Sequence, residues 1–291
     1  MIPPSKVLVA VDFSDASMTA LSCGARLARR SKADLHVVHV EDPLLSAAAH
    51  ERGIHLATES REELARLISK VPEADHLSPQ QSVVTGHPVE VILDISCREG
   101  ADLIVVASHG MSGVERAFFG SVTEGLLRRT DRSLLVVPAE WRLPAERSGK
   151  ASLGPFIVGI DFSSSATAAA AAACHLAEQF STSVELIHVV TNRPVLDRWR
   201  PHAEAATAER VDLARRDIAR VAGSLQTSVP LISRVETGSI AERISEIAAP
   251  WSDRQPVIVL GRRSADRGGT PGTTAFRTLM LARVPVLMHV A

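Results

Sequence analysis

The chain has 291 residues, which is enough for about two domains that each bury a hydrophobic core. Hydrophobic residues make up 45% of it and charged residues 22%, as in ordinary globular proteins. The formal net charge of -1 supplies no basic excess, so the composition favours neither nucleic acid nor an anionic membrane as a partner.

The sequence predicts no targeting or membrane-spanning segment. Residues 1–5 lack the apolar stretch of a signal peptide, and no apolar run approaches the roughly 18 residues of a spanning helix. A cytoplasmic location is therefore expected. Cys23, Cys97 and Cys174 lack metal-ligand spacing, and each lies in a helical pattern where cysteine acts as a small hydrophobic residue.

The same motifs occur in the same order in each half of the chain. An apolar run that ends at Asp12 and Ser14 returns as a run that ends at Asp161 and Ser163. Further matches pair His39-Val40 with His188-Val189, Thr85-Gly86 with Thr237-Gly238, and Gly120-Ser121 with Gly272-Thr273. We therefore predict two copies of one folding unit, residues 1–147 and 151–291, with a linker inside the proline- and glycine-containing segment 139–155.

Short runs of valine, isoleucine and leucine predict the strands of the first half, at residues 7–11, 35–40, 81–84, 103–107 and 134–137. Ser14 can cap a helix after the first run, because Met18 and Leu21 begin an apolar face with helical spacing. Another helix is predicted between Pro88 and Gly100, since proline favours a first turn and glycine follows a last one.

The second half repeats this alternation, with predicted strands at residues 157–160, 184–189, 231–235, 257–260 and 286–290. Its charged stretch at residues 204–220 predicts a solvent-exposed helix. Strands that alternate with helices form parallel sheets with right-handed crossovers. The predicted fold class is therefore α/β, with two tandem, doubly wound, open parallel-sheet domains of Rossmann-like form.

The loop after the fourth strand is the first candidate for a binding site. In open parallel sheets a ligand lies beyond the carboxyl ends of the strands, where the strand order reverses. Gly110, Gly113 and Gly120 let backbone amides approach a ligand, and Gly120 opens a helix whose free amides attract phosphate. The hydroxyls of Ser121 and Thr123 can add hydrogen bonds, and a divalent cation can supply the remaining positive charge.

Other nucleotide-binding and catalytic patterns are missing from the sequence. Neither first strand is followed by a P-loop or by the glycine pattern of dinucleotide-binding proteins. The stretch from His109 to Gly113 lacks the spacing of a hydrolase nucleophile elbow. A glycine-rich turn can also serve only to reverse the chain, but its position and its recurrence favour a binding role.

Two carboxylates and three histidines lie near predicted strand ends. Asp12 and Asp161 can accept hydrogen bonds from a nucleotide, or can form an Asx turn that caps the next helix. We favour ligand contact. His39, His109 and His188 have no cysteine or carboxylate at ligand spacing, so hydrogen-bonded histidines are expected there and no metal site is assigned.

These motifs resemble the universal stress protein family in its tandem two-domain form. The family pattern is Gly-x-x-Gly, nine residues, then Gly-Ser or Gly-Thr, and the first half matches it from Gly110 to Ser121, with Ala107 in place of the first glycine. The resemblance implies a fold of the adenine-nucleotide alpha hydrolase type that binds ATP with Mg²⁺ or Mn²⁺ held by the phosphates. It maps nucleotide binding onto Ala10, Val11, Asp12, Val40, Val106, Ala107, Gly110, Gly120, Ser121, Val122 and Thr123.

The second half departs further from the family pattern. Ser264 replaces the second glycine, and only seven residues separate it from Gly272. Arg262, Arg263 and Arg267 can replace some backbone contacts to phosphate with side-chain contacts. The resemblance assigns a weakened, altered or lost second site to Asp161, Val189, Gly261, Gly272, Thr273 and Thr274.

The function expected from this resemblance is nucleotide sensing by a regulatory module of the stress response. No catalytic residue is assigned, because no side chain is evidently placed to orient a nucleophile for phosphoryl transfer. Two alternatives remain: a slow ATPase or phosphotransferase that uses the same pocket, and a nucleotide-free interaction module. The expected partners are an adenine nucleotide, a second copy of the chain in a homo-oligomer (a dimer) and an unidentified protein.

Overall fold

The apolar runs of the sequence form parallel strands in the computed structural model, which describes residues 3–109, 120–143, 153–191, 200–249, 255–262 and 272–290. The described residues form two compact units, one within residues 3–143 and one within residues 153–290. The predicted domain limits at 147 and 151 lie in residues 144–152, outside the described residues, and stay predictions.

The first unit is a five-stranded parallel sheet in the order β3-β2-β1-β4-β5. Its strands are β1 (Lys6–Val11), β2 (Asp34–Glu41), β3 (Gln80–Thr85), β4 (Leu103–Ala107) and β5 (Ser133–Val137). Its helices are α1 (Asp15–Ser31), α2 (Pro43–Glu51), α3 (Leu56–Ser69), α4 (Pro88–Arg98) and α5 (Ser121–Arg129), with a 3₁₀ turn at Pro72–Ala74. The strand order reverses between β1 and β4, which makes the carboxyl ends of these two strands the switch point.

The second unit repeats this topology in the order β10-β9-β6-β7-β8. Its strands are β6 (Phe156–Gly159), β7 (Val184–Val190), β8 (Leu231–Thr237), β9 (Val257–Arg262) and β10 (Val286–Val290). Its helices are α6 (Ser164–Phe180), α7 (Arg200–Ser224), α8 (Ile240–Ile247) and α9 (Thr273–Leu281). The predicted α/β class and the alternation of strands and helices are confirmed in both units.

The turn between the first strand and the first helix is built alike in both units. Ser14 caps α1 by accepting a hydrogen bond from the Ser17 amide, and Ser163 caps α6 in the same way. The preceding residues, Phe13 and Phe162, have φ values of 65° and 63°, in the left-handed region that bulky residues rarely adopt. Each ring lies against a histidine of the next strand, which helps to hold this strained turn.

The central strands carry the core of each unit. In the first unit Leu8 and Val9 of β1 and Ile104 of β4 are fully buried, and Gly24 lets α1 approach the sheet because a Cβ there would lie 2.6 Å from Val9 Cγ2. None of the helices in the described ranges is both long and apolar enough to cross a membrane.

Candidate functional site

A cavity of about 340 Å³ lies at the switch point of the first unit. The carboxyl ends of β1, β2 and β4 and the first turn of α5 surround it. The structure brings these residues from the predicted site together around the cavity: Ala10, Val11, Asp12, Val40, Val106, Ala107, Gly120, Ser121, Val122 and Thr123. Gly110, the other predicted residue, lies outside the described residues.

Five further residues line the cavity that the sequence analysis did not assign to it: Ser17, Val38, Pro88, Ile92 and His109. The sequence could have indicated Val38, because strand side chains alternate and Val38 therefore shares a face with Val40. Ile92 follows Pro88 by four residues and so shares its helix face. The position of α4 over β2 depends on tertiary packing, so the local sequence pattern could not predict it.

One side of the cavity is apolar. Valines of β2 and β4 meet Ile92 and Pro88 of α4 there, and Ile92 and Val106 are almost fully buried. A flat aromatic group that enters this side would replace water against aliphatic surface, which is favourable.

The other side of the cavity is formed by the start of α5. Gly120 is the N-cap and, as a glycine, offers no capping side chain, so the next amides keep hydrogens for a ligand. The Gly120 amide itself donates to Ser108 O at 3.0 Å, and the Thr123 hydroxyl donates to Ala107 O at 2.8 Å. Thr123 therefore ties α5 to the end of β4, and its hydroxyl hydrogen is not available to a ligand. The side chain of Ser121, by contrast, is exposed.

Asp12 forms an Asx turn and also lies at the cavity. Its Oδ1 accepts hydrogen bonds from the Ser14 amide at 3.1 Å and the Ser14 hydroxyl at 2.6 Å, which is an Asx turn. The same residue borders the cavity. Asp161 forms the matching turn with Ser163 in the second unit. The turn explains the carboxylate at this position in both units, and contact with a ligand stays a prediction.

The histidines at the strand ends hydrogen-bond to the protein, as predicted. His39 Nδ1 lies 2.9 Å from Val11 O, and His188 Nδ1 lies 2.7 Å from Ile160 O. His109 Nδ1 lies 3.0 Å from the Ser108 hydroxyl. Within the described ranges no three histidine, cysteine or acidic side chains converge in a way that could hold a metal ion.

The buried cysteines are poor nucleophiles. Burial raises the pKa of the Cys23 thiol to about 12, so this thiol is protonated at neutral pH. Burial also raises the pKa of Cys174.

The matching crevice of the second unit is narrowed by its own side chains. Gly159 of β6 stands where the first unit has Ala10, and Leu260 of β9 stands where it has Val106. A Cβ at Gly159 would lie 2.7 Å from Leu260 Cδ2 and 3.2 Å from Ile244 Cδ1. The larger leucine therefore occupies space beside β6 that the Ala10–Val106 pair of the first unit leaves to the cavity.

Gly261 brings a helix close to the same crevice. A Cβ at this position would lie 2.2 Å from Ser165 O and 2.7 Å from the Ala166 amide nitrogen, both in the first turn of α6. Its counterpart Ala107 carries a methyl group, so α1 cannot approach β4 as closely in the first unit. The family pattern suggests that a glycine at this position lets a ligand approach. In the second unit Gly261 instead makes room for the first turn of α6.

The remaining predicted residues of the second unit keep equivalent places. Val189 lies near the end of β7, and Gly272, Thr273 and Thr274 open α9. Ala275 replaces Thr123, so α9 lacks the hydroxyl that ties α5 to its strand. Arg263, Ser264 and Arg267 lie outside the described residues.

Comparison with known proteins agrees with the repeated fold. A model of the universal stress protein family matches residues 4–138 and again residues 154–288. A universal stress protein of Bacillus subtilis, YxiE, is 30% identical over 145 residues, which cover 46% of this chain and 98% of the relative. The Methanocaldococcus jannaschii universal stress protein MJ0577 is 26% identical over 151 residues, 45% of this chain and 93% of the relative.

A solved structure shows the same two-domain fold. The crystal structure of a universal stress protein from Archaeoglobus fulgidus covers 98% of both chains with a TM-score of 0.66 at 20% identity. The single-domain relatives each match about half of this chain, whereas this structure matches both units. The chain therefore belongs to the universal stress protein family, in its tandem form.

Proposed function

We propose that the first unit binds an adenine nucleotide, ATP in the first instance, and that the chain acts as a nucleotide-sensing regulatory module in stress response. The observation that carries this proposal is the cavity at the β1–β4 switch point, which has an apolar side and an opposite side made by a helix start. Membership of the universal stress protein family supports it.

The two sides of the cavity suit the two ends of a nucleotide. The adenine ring would lie among the valines of β2 and β4 and Ile92. The phosphates would lie at the start of α5, where backbone amides carry partial positive charge. Asp12 would face the ribose from the end of β1, where it borders the cavity.

A divalent cation would be held chiefly by the nucleotide. The described lining offers one carboxylate, that of Asp12, and the hydroxyls of Ser17, Ser121 and Thr123. A single carboxylate is too few for a dedicated metal site. Oxygen ligands of this kind suit Mg²⁺ or Mn²⁺ that phosphates already coordinate, and the cation would offset the phosphate charge.

The second unit is assigned a weaker site or none. Leu260 and the close approach of α6 at Gly261 reduce the matching space, independently of the shortened loop. A module that binds without turnover must act through what it contacts, so the proposal includes an unidentified protein partner that responds to the occupied first unit.

The test is to denature freshly purified protein, identify any released nucleotide, and titrate ATP into the stripped chain. Release of an adenine nucleotide and saturable rebinding support the proposal. The absence of both would leave a nucleotide-free interaction module. Turnover of about 1 to 1,000 per second by the same sample would instead establish an enzyme.

A further inference from the structure

We propose that the open edge of β8 (Leu231–Thr237) pairs with the same edge of a second copy of the chain. The two β8 strands would run antiparallel about a two-fold axis at Val235. This register places Arg234 of each copy opposite Glu236 of the other. The interface lies in the second unit and does not depend on nucleotide binding by the first.

The hydrogen bonds between β7 and β8 show which backbone groups face the open edge. β8 is the last strand of the second unit's sheet and pairs with β7 on one side. The Val184 amide donates to Pro230 O at 3.0 Å, and the Gly238 amide donates to Val190 O at 3.1 Å. In a parallel pair, alternate residues turn both backbone groups toward the neighbouring strand. Both bonds therefore leave these residues of β8 with their N–H and C=O groups facing outward: Leu231, Ser233, Val235 and Thr237.

The outward groups of β8 are open to a partner strand. Among the described residues, the sole hydrogen bond to these groups runs from Arg243 Nε to Thr237 O, at 3.1 Å. A cavity of about 570 Å³ is lined by α7 and by residues 233–236, so the helix does not seal this stretch of the strand. A row of unpaired backbone groups on an edge strand is a template for a further strand.

The charges of β8 select one register of an antiparallel pair. An axis at Arg234 or at Glu236 would place like charges directly opposite each other, which is unfavourable. An axis at Ser233 would place Arg234 opposite Ile232 and form no ion pair. An axis at Val235 instead gives an arginine opposite a glutamate, and the symmetry repeats this contact. The strand is therefore complementary to itself in this register.

The backbone geometry agrees with an axis at Val235. Because Val235 faces outward, it can exchange both hydrogen bonds with Val235 of the second copy, and Ser233 can do the same with Thr237. Arg234 and Glu236 face β7, so across the new interface they form non-hydrogen-bonded pairs. The side chains of such pairs are the closer ones, with Cα atoms about 4.5 Å apart.

Both charged side chains are accessible for this contact. The side chain of Arg234 is 50% exposed and forms an ion pair with Glu185 of β7. A guanidinium has several N–H donors and can serve a second carboxylate. Glu236 is partly exposed and has no ion-pair partner within the described ranges. In the first unit the matching edge strand, β3, reads QQSVVT and has no charge to select a register.

The self-association can be measured by analytical ultracentrifugation of the full-length chain over a series of concentrations. We expect a reversible dimer. Glu236→Lys should weaken it at least about tenfold, because each pair would then oppose two cations. Glu62→Lys is the matched control, since it makes the same charge change on exposed α3 and should leave the dimer unchanged.

The register can be measured by disulfide formation in a Cys97→Ser background, since Cys97 is exposed and both Cys23 and Cys174 are buried. Val235→Cys should give a disulfide-linked dimer, because its Cα atoms would lie about 5.5 Å apart, within disulfide range. Ser233→Cys should not, because the two cysteines would lie roughly four residues, or about 13 Å, apart along the strands.

Three results would overturn the proposal. A wild-type chain that stays monomeric would leave the β8 edge to another partner or to none. A dimer that Glu236→Lys does not weaken would use a different surface. A disulfide in Ser233→Cys but not in Val235→Cys would mean that the strands meet in another register.

Discussion

One residue near the carboxyl end of the fourth strand of each unit, Ala107 or Gly261, contributes to the difference between the two crevices. The first unit has the methyl group of Ala107 there, and its cavity opens beside it. The second unit has Gly261, against which the first turn of α6 packs. The same fold thus leaves a crevice open in one copy and narrows it in the other.

Gly261→Ala should destabilise the second unit. Its Cβ would lie 2.2 Å from the backbone oxygen of Ser165, so α6 or β9 must move. Overpacking of this kind costs about 1 to 3 kcal/mol, which equilibrium unfolding in urea would show. Gly223→Ala is the control, because a Cβ there meets nothing within 4 Å and alanine favours the helix. Equal stability of Gly261→Ala and wild type would show that α6 does not depend on this glycine.

Ser121→Ala should weaken ATP binding by about 1.5 to 3 kcal/mol, because it removes one hydroxyl donor to a charged phosphate. Calorimetric titration measures this directly. Thr273→Ala is the matched variant at the start of α9 and should leave the affinity of the main site unchanged. An unchanged affinity in Ser121→Ala would remove this hydroxyl from the site.

At the scale of single elements, β10 carries a buried histidine. His289 is 2% exposed, and burial lowers its pKa to about 4. Since the ordinary pKa of histidine is near 6.5, the unfolded chain binds this proton more readily than the folded chain between pH 6.5 and pH 4. The contribution of neutral His289 to the free energy of unfolding is therefore fully present above pH 6.5, and it is lost as the pH falls toward 4.

We expect the free energy of unfolding to fall by up to about 3 kcal/mol through His289 between pH 7 and pH 4. His289→Val, which copies Val137 at the equivalent position of β5, should remove much of this dependence. A smaller dependence should persist through His36, whose pKa burial also lowers. Urea unfolding of both proteins across this range measures the difference, and identical pH profiles would contradict the account.

The sequence was sufficient to predict elements whose pattern is local. The runs at 103–107 and 286–290 coincide with β4 and β10, and Ser14 caps α1 as predicted. The run at 257–260 was too short, because β9 continues to Arg262 by pairing Gly261 with His289 and Arg262 with Val290. That extension depends on a neighbouring strand and leaves no trace in the local pattern.

The sequence predicted the part of the candidate site that lies in local motifs, but not the part that depends on packing between elements. Motif residues such as Asp12 and Ser121 do border one cavity, whereas Ser17 and Ile92 reach it only through packing of α1 and α4. The structural use of Gly261 also escaped prediction, since a glycine against a ligand and a glycine against a helix look identical in sequence. Gly110 and Gly113 lie outside the described residues and stay predictions.

At the scale of the whole chain, the duplication supplies two related crevices of unequal shape. The Leu260–Gly159 contact and the Gly261–Ser165 contact both act in the second unit alone. We therefore expect about one tightly bound adenine nucleotide per chain. Native mass spectrometry at saturating ATP should show one bound nucleotide as the main species, and two of equal affinity would mean that the second crevice opens.

The most direct test of the first-unit site is a calorimetric titration of ATP with Mg²⁺ into stripped full-length chain, in wild type, Gly120→Val and Gly272→Val. Gly120 has a φ of -58°, so valine is allowed there, and its side chain would stand at the start of α5 where phosphate is proposed. We predict that Gly120→Val loses at least about tenfold in affinity, or more than 1.4 kcal/mol, while Gly272→Val binds like wild type. Wild-type affinity in Gly120→Val would contradict the assignment of the site.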